Sequence, residues 1–242
     1  LLLAISMQMM AQRGDAPNWI SIAGKVGVGT SALICKQASD NENFATNYMA
    51  PSFGVGGRLG VVFVDRIGVS VEYLSSQYQN KSEYNLQTQG EAILKSNLKF
   101  KTGDLLILAR YTGEYGFYME AGPKITSVKE VTRETEGNTS FFSISGSNDV
   151  TDKFNGKFNS IVFGFGFMPY NGDRVQVSLG LRGAYCNKNV LAQDENVYGF
   201  SSLKMQNIEM KPFSAQVVLE VNYHFARFGS ATCGKQKIIF FK

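Results

Sequence analysis

One histidine, three cysteines and a modest set of charges are all that this sequence offers for chemistry. His224 has Asn222 and Glu220 before it at alternate positions, a spacing that puts all three on one side of a β-strand. A hydrolase or acyltransferase needs such a base beside a nucleophile or an activated water. No serine stands where it would serve as nucleophile, so a hydrogen-bonded imidazole is the plainer reading and no enzyme signature emerges. Cys35, Cys186 and Cys233 lack the neighbours and spacing of a metal site. The run Gly54–Val55–Gly56–Gly57 falls inside a strand pattern rather than before a helix, so it does not read as a phosphate-binding turn. Neither a metal nor a cofactor is expected. What remains is a set of charges at alternate positions among small or apolar residues: Lys25, Arg58, Glu72, Arg110, Glu120, Lys124, Arg182 and Glu220.

Each of these charges belongs to a stretch that alternates with period two, and eight such stretches follow one another. Ile20, Ile22, Val26 and Val28 share one parity against Ser21, Ala23 and Lys25. Phe53–Phe63, Ile67–Tyr73, Leu105–Tyr111 and Phe117–Thr126 repeat the pattern, as do Ile161–Phe167, Val175–Arg182 and Phe213–Phe225. One face is almost purely apolar; the other carries Gly, Ser and charge. Asp65–Arg66, Thr112–Gly116 and Asn171–Asp173 have the composition of tight hairpin turns. Between them the polar stretches Cys35–Ser52, Tyr78–Gly90, Glu130–Gly156 and Asn187–Lys211 read as long connections. Ala92–Thr112 reads either as one long strand or as two pieces around Thr102–Gly103.

Eight antiparallel strands with every second connection long predict an all-β fold: a transmembrane barrel with short periplasmic turns and long extracellular loops. A soluble barrel with its apolar face inward around a ligand has the same alternation. Three features favour the membrane: the unbroken apolar face, aromatics towards strand ends, and the strict alternation of short and long connections. The charges then face the lumen, which in an eight-stranded barrel is just wide enough for side chains to fill. They must pair to offset desolvation, so a plugged lumen is expected in preference to a narrow ion or proton path.

Composition agrees. The chain has 242 residues, 44% hydrophobic and 18% charged, with 25 Gly, 18 Phe and 11 Tyr, too apolar for a disordered chain and suited to strands and turns. Its formal charge of +4 is spread along the sequence and makes no case for nucleic acid. Residues 1–11, LLLAISMQMMA, read as the end of a secretory signal peptide; the barrel is expected over 12–228 and a periplasmic tail over 229–242. Export permits disulfides. Cys35 and Cys186 both fall at outer strand ends on the lumen parity, so they are candidates for a bridge across the rim. That pairing leaves Cys233 odd, which suggests an intermolecular bridge. Beside it, Ile238, Ile239, Phe240 and Phe241 form an apolar patch suited to adding as a strand to a partner's sheet edge.

The stretch LLILARYTGEYGFYMEAGPKITS (Leu105–Ser127) resembles the central hairpin of the small outer-membrane barrels of Bacteroidota, a PorT-like group related to OmpX and OmpA. The closing VVLEVNYHFARF (Val217–Phe228) resembles the terminal strand that such barrels present to the insertion machinery. Most stop at the terminal aromatic; this chain continues from Gly229 to Lys242. The resemblance implies an integral outer-membrane protein with extracellular loops and periplasmic termini, in contact with outer-membrane lipid. It also implies a non-enzymatic anchor or scaffold of an envelope complex such as the type IX protein secretion apparatus. There the partners are ring subunits, the lipoprotein PorK and its companion PorN, engaged by Cys233 and Ile238–Phe241. A stand-alone barrel whose loops bind ligands or host material is the alternative, favoured by the Phe141–Phe142 pair within Thr135–Asp152.

Overall fold

Period-two alternation over this many segments leaves the chain one economical solution, a sheet that closes on itself and has no edge. The computed structural model describes residues 18–35, 44–63, 66–86, 92–113, 115–138, 143–192, 209–230 and 236–240. They form β1 (Asn18–Cys35), β2 (Phe44–Phe63), β3 (Ile67–Leu86), β4 (Ala92–Thr112), β5 (Phe117–Asn138), β6 (Ser143–Asp149), β7 (Lys157–Asn171), β8 (Val175–Tyr185), β9 (Met210–Ser230) and β10 (Gln236–Phe240). Every pairing is antiparallel, in the order β1-β2-β3-β4-β5-β7-β8-β9, and β9 returns to β1 to close a ring of eight strands. No helix among the described residues is long and apolar enough to cross a membrane, which says nothing against crossing by strands. The fold is an eight-stranded antiparallel β-barrel.

The short connections are tight. Gly113 N–H donates to Phe117 O at 2.7 Å, and Gly116 adopts φ +77°, a left-handed conformation that only glycine takes without cost. Gly172 N–H donates to Val175 O at 3.0 Å across the next turn. The other end of the barrel corrects the sequence reading. Tyr78–Leu86 and much of Glu130–Gly156 are not loops: β3, β4 and β5 run unbroken past the apolar band, and β4 is a single strand through Thr102–Gly103. Above Gly103, β4 continues for roughly 35 Å of strand length at about 3.3 Å per residue. These outer extensions alternate weakly because their buried inward positions include polar residues such as Asn80, Ser82 and Ser96, so period two fades from the sequence although the ladder does not. β6 adds to the outer part of β5, from Thr132↔Asp149 to Asn138↔Ser143, and upper β2 pairs with β3, so one side of the barrel rises as a sheet while β7, β8, β9 and β1 end at the rim.

An apolar cap covers the outer mouth. Leu98, Phe100 and Val131 from the rising sheet meet Val150 and Phe154, with Val190, Leu191 and Met210 from the far rim. The two connecting segments are stitched together: Asn155 N–H donates to Val190 O at 2.8 Å, Ala192 N–H to Lys153 O at 3.0 Å, and Phe154 bridges Leu191. Phe100 and Phe154 meet edge to face with centroids 5.0 Å apart. Burying such side chains stabilises each by about 1.5–3 kcal/mol.

Candidate functional site

The ladder register decides what meets inside the barrel. Lys25 lies opposite Glu220, Arg58 opposite Glu72, and Arg110 opposite Glu120, so three adjacent-strand pairs carry opposite charges. The eight candidate charges all lie in the lumen and are buried to 6% exposure or less. Six of them alternate in sign around a closed ring. Lys25 Nζ contacts Glu72 Oε1 at 2.6 Å; Arg182 donates to the other oxygen of Glu72 at 2.8 Å; Arg182 also donates to Glu120. Arg110 joins Glu120 (2.8 Å) to Glu220 (2.7 Å), and Glu220 returns to Lys25 at 2.5 Å. Arg58 adds a further donor to Glu220 at 2.7 Å and reaches Asn222 Oδ1 at 3.1 Å.

Seven strands supply these groups, and β7 supplies space. A Cβ at Gly164 would stand 3.0 Å from the Glu120 side chain. Gly166 and Gly180 leave room in the same way for Tyr118, since a Cβ on either would overlap its ring or hydroxyl. The Tyr118 ring in turn carries Arg110 4.4 Å above its centroid, a cation–π contact.

Lys124 stands apart from the ring, 3.2 Å from the Tyr78 hydroxyl and 3.8 Å from Asp104, while Tyr78 donates to Asp104 at 2.5 Å. Sequence reading missed Asp104 and Tyr78. Asp104 shares the parity of Leu106, Leu108 and Arg110, and Tyr78 that of Glu72, so continuing β4 and β3 past the expected breaks would have found both. This group lies beside a cavity of about 40 Å³ under the cap, enough for a few waters and no more.

The arrangement offers little chemistry beyond filling and sealing. His224 is half-buried at the short-turn end, its ring 5.5 Å from that of Trp19 and its backbone N–H donating to Arg174 O at 2.8 Å. Among the described residues no group of three His, Cys, Asp or Glu is placed to hold a metal. Outside the membrane band, a second set of ion pairs runs along the rising sheet: Lys99 to Glu134 at 2.6 Å, Lys101 to Glu130 at 2.9 Å and Lys95 to Glu83 at 3.4 Å. Hydrogen bonds from Lys99 and Lys101 hold Glu134 and Glu130 below the usual carboxylate range, and Thr151 does the same for Asp149.

One expectation is corrected by geometry. Cys35 and Cys186 both point inward and both pack in the cap, as thiols. However, Cys35 pairs with Met210 and Cys186 N–H donates to Pro212 O, so β9 runs between them. Two strand spacings of about 4.8 Å exceed the Cα separation that a disulfide spans. The segment after β9 folds back on the chain itself. Ile238, Ile239 and Phe240 form β10, which pairs with Phe228, Arg227 and Ala226 of the chain's own β9, beyond the point where β8 has ended. Cys233 and Phe241, the Phe141–Phe142 pair and residues 1–17 lie outside the described residues.

The outer wall is the reverse of a soluble protein's. Ile22, Leu59, Tyr73, Phe163, Phe167 and Leu181 each expose half or more of their surface, while every charge of the ring is buried. Water would penalise such a continuous apolar belt and lipid would not. The fold is that of an outer-membrane barrel. This chain is similar to the neisserial surface protein NspA (TM-score 0.41, 7% identity, 87% of this chain and 100% of that one). It is similar to OprG of Pseudomonas aeruginosa (0.40, 14%, 89% and 97%) and to the outer-membrane protease OmpT of Escherichia coli (0.38, 10%, 86% and 96%). No protein-family model and no curated protein matches the sequence.

Proposed function

We propose that this protein is an integral outer-membrane anchor of an envelope-spanning complex, non-enzymatic and non-conducting, with its outer sheet extracellular and its termini periplasmic. The observation that carries this reading is the double closure of the lumen, by the alternating charge ring and by the cap above it. A barrel filled in this way works through its surfaces rather than its interior. On the periplasmic side, β10 extends the wall below the end of β8 and gives partners a structured patch. Within the Bacteroidota group that the central hairpin and last strand resemble, PorG of the type IX secretion apparatus fits by architecture, size and the odd Cys233. Its partners would then be PorK- and PorN-like ring subunits, with Cys233 forming the covalent link.

The test is a mild-detergent pull-down of the native protein, run reduced and non-reduced. The anchor reading expects a heavier band that collapses on reduction and is absent from Cys233→Ser, together with a periplasmic or lipoprotein subunit. A heat-modifiable barrel recovered alone would count against it. The rising sheet favours a second reading, a stand-alone surface barrel that binds ligands or host material. Deleting residues 139–149 separates the two, since an anchor keeps its complex and a surface receptor loses its ligand.

A further inference from the structure

The lipid-facing wall is not uniform. Across β7, β8 and β9 it sinks into a groove of about 630 Å³. One row of the ladder explains it: Phe163 lies opposite Gly183, and Gly183 opposite Ala215, so two neighbouring outward positions are nearly bare. Tyr185 and Phe213 border the row on the outer side, and Leu181 and Val217 on the inner side. Gly183 is unlike the glycines that make room for Tyr118. A Cβ added there would meet only backbone oxygens at 3.9 and 4.0 Å, so its missing side chain serves nothing inside the barrel and opens the groove outward.

The chemistry directly above the groove is cationic. Lys211 is the next outward residue of β9 above Phe213, Lys188 follows the outer end of β8, and Lys157 opens β7. Lys157 and Lys188 are exposed; Lys211 pairs with Glu209 at 2.9 Å, the one carboxylate at these three strand ends among the described residues. On the opposite wall, Ser75 and Gln77 top the apolar band of β3, and Lys101 on β4 is neutralised by Glu130. Apolar trough and unbalanced positive charge therefore coincide on one side of the barrel.

We propose that this groove seats an acyl chain of one anionic lipid, whose phosphate lies against Lys157, Lys188 and Lys211. The inference rests on the membrane-spanning fold and not on the anchor role. Lysines at a membrane surface each contribute on the order of 1 kcal/mol towards an anionic headgroup. Two unbalanced lysines therefore correspond to an enrichment on the order of tenfold or more over a zwitterionic lipid.

The full chain is reconstituted in vesicles of phosphatidylcholine and phosphatidylglycerol at nine to one, extracted in mild detergent, and its retained lipid is quantified by mass spectrometry. Enrichment of phosphatidylglycerol on the order of tenfold over the vesicle ratio is expected. Gly183→Leu, which fills the trough, should return retention to the vesicle ratio; Ala215→Leu provides a second filling variant, and heat-modifiable mobility verifies that each is folded. Lys157→Gln with Lys188→Gln should abolish the preference for phosphatidylglycerol. Retention at the vesicle ratio by the native chain would overturn the proposal. So would enrichment untouched by either filling variant, or displacement of the lipid by inorganic phosphate alone, because the lysines would then act without a seated chain.

Discussion

The molecule carries two sets of ion pairs built from the same residue types, and they do different work. In the lumen, Glu220 is 1% exposed and touches Lys25, Arg58 and Arg110; on the rising sheet, Glu134 is 40% exposed and touches Lys99. A buried carboxylate has lost its water and depends on its partners, whereas an exposed one exchanges partner for solvent at little cost. The lumen ring also enforces register. Sliding any of the seven charged strands by one residue would turn its charge out into lipid, so their pairing is fixed. The outer ion pairs have no such authority, since they stand on the wet outer face, and register there rests on Leu98, Phe100 and Val131 packed in the cap. Similar contacts thus specify the fold in one region and merely decorate it in the other.

The comparison breaks most directly at Glu220. Glu220→Gln leaves three cations short of a counter-charge, and a loss of about 3–5 kcal/mol is expected in reversible urea unfolding from vesicles; a loss under 1 kcal/mol would mean that the ring relaxes or takes in water. Gly180→Ala probes the same region through packing, because the new methyl collides with Tyr118. It should cost about 1–3 kcal/mol by the same measurement, and Gly183→Ala, on the open outer wall, should cost far less. Glu134→Gln on the rising sheet should leave the unfolding midpoint within replicate scatter. The smallest effect is acid sensitivity of that sheet. Glu130 and Glu134 are held below their ordinary range, so their contribution is complete above the unfolded carboxylate value of about 4.3 and fades as pH falls through the depressed folded values. Hydrogen exchange at Lys99 and Lys101 should accelerate there while the amides around Arg110 stay protected; equal acceleration at both sites would erase the distinction between the two regions.

The barrel was legible because lipid outside and charge inside write period two into the sequence, and Lys25, Glu72, Arg110 and Glu220 announce the lumen by parity alone. Legibility stops where solvent replaces lipid. Tyr78–Leu86 and Val131–Asn138 are strands whose two faces are both polar, and nothing in their composition separates them from loops. Asp104 was hidden by the Gly103 beside it, which invited a break that the ladder ignores. The ring itself could not be foreseen: parity places six charges inside, but only the stagger between strands decides that Arg182 bridges Glu72 to Glu120. The Cys35–Cys186 expectation failed for the same reason, since a shared face and a shared height say nothing about the strand between them.

Closure between β1 and β9 has a consequence for biogenesis. Asn18 pairs with Phe228, and Lys25 with Glu220, so the first strand waits for the last. Until then the ring lacks the carboxylate that joins Lys25, Arg58 and Arg110, and an open sheet would carry a net excess of positive charge into hydrocarbon. Strand-by-strand entry into the bilayer is therefore the costly route. Insertion and sealing must coincide, and a nascent chain short of its ninth strand should stay on the aqueous side of the membrane in the care of chaperones.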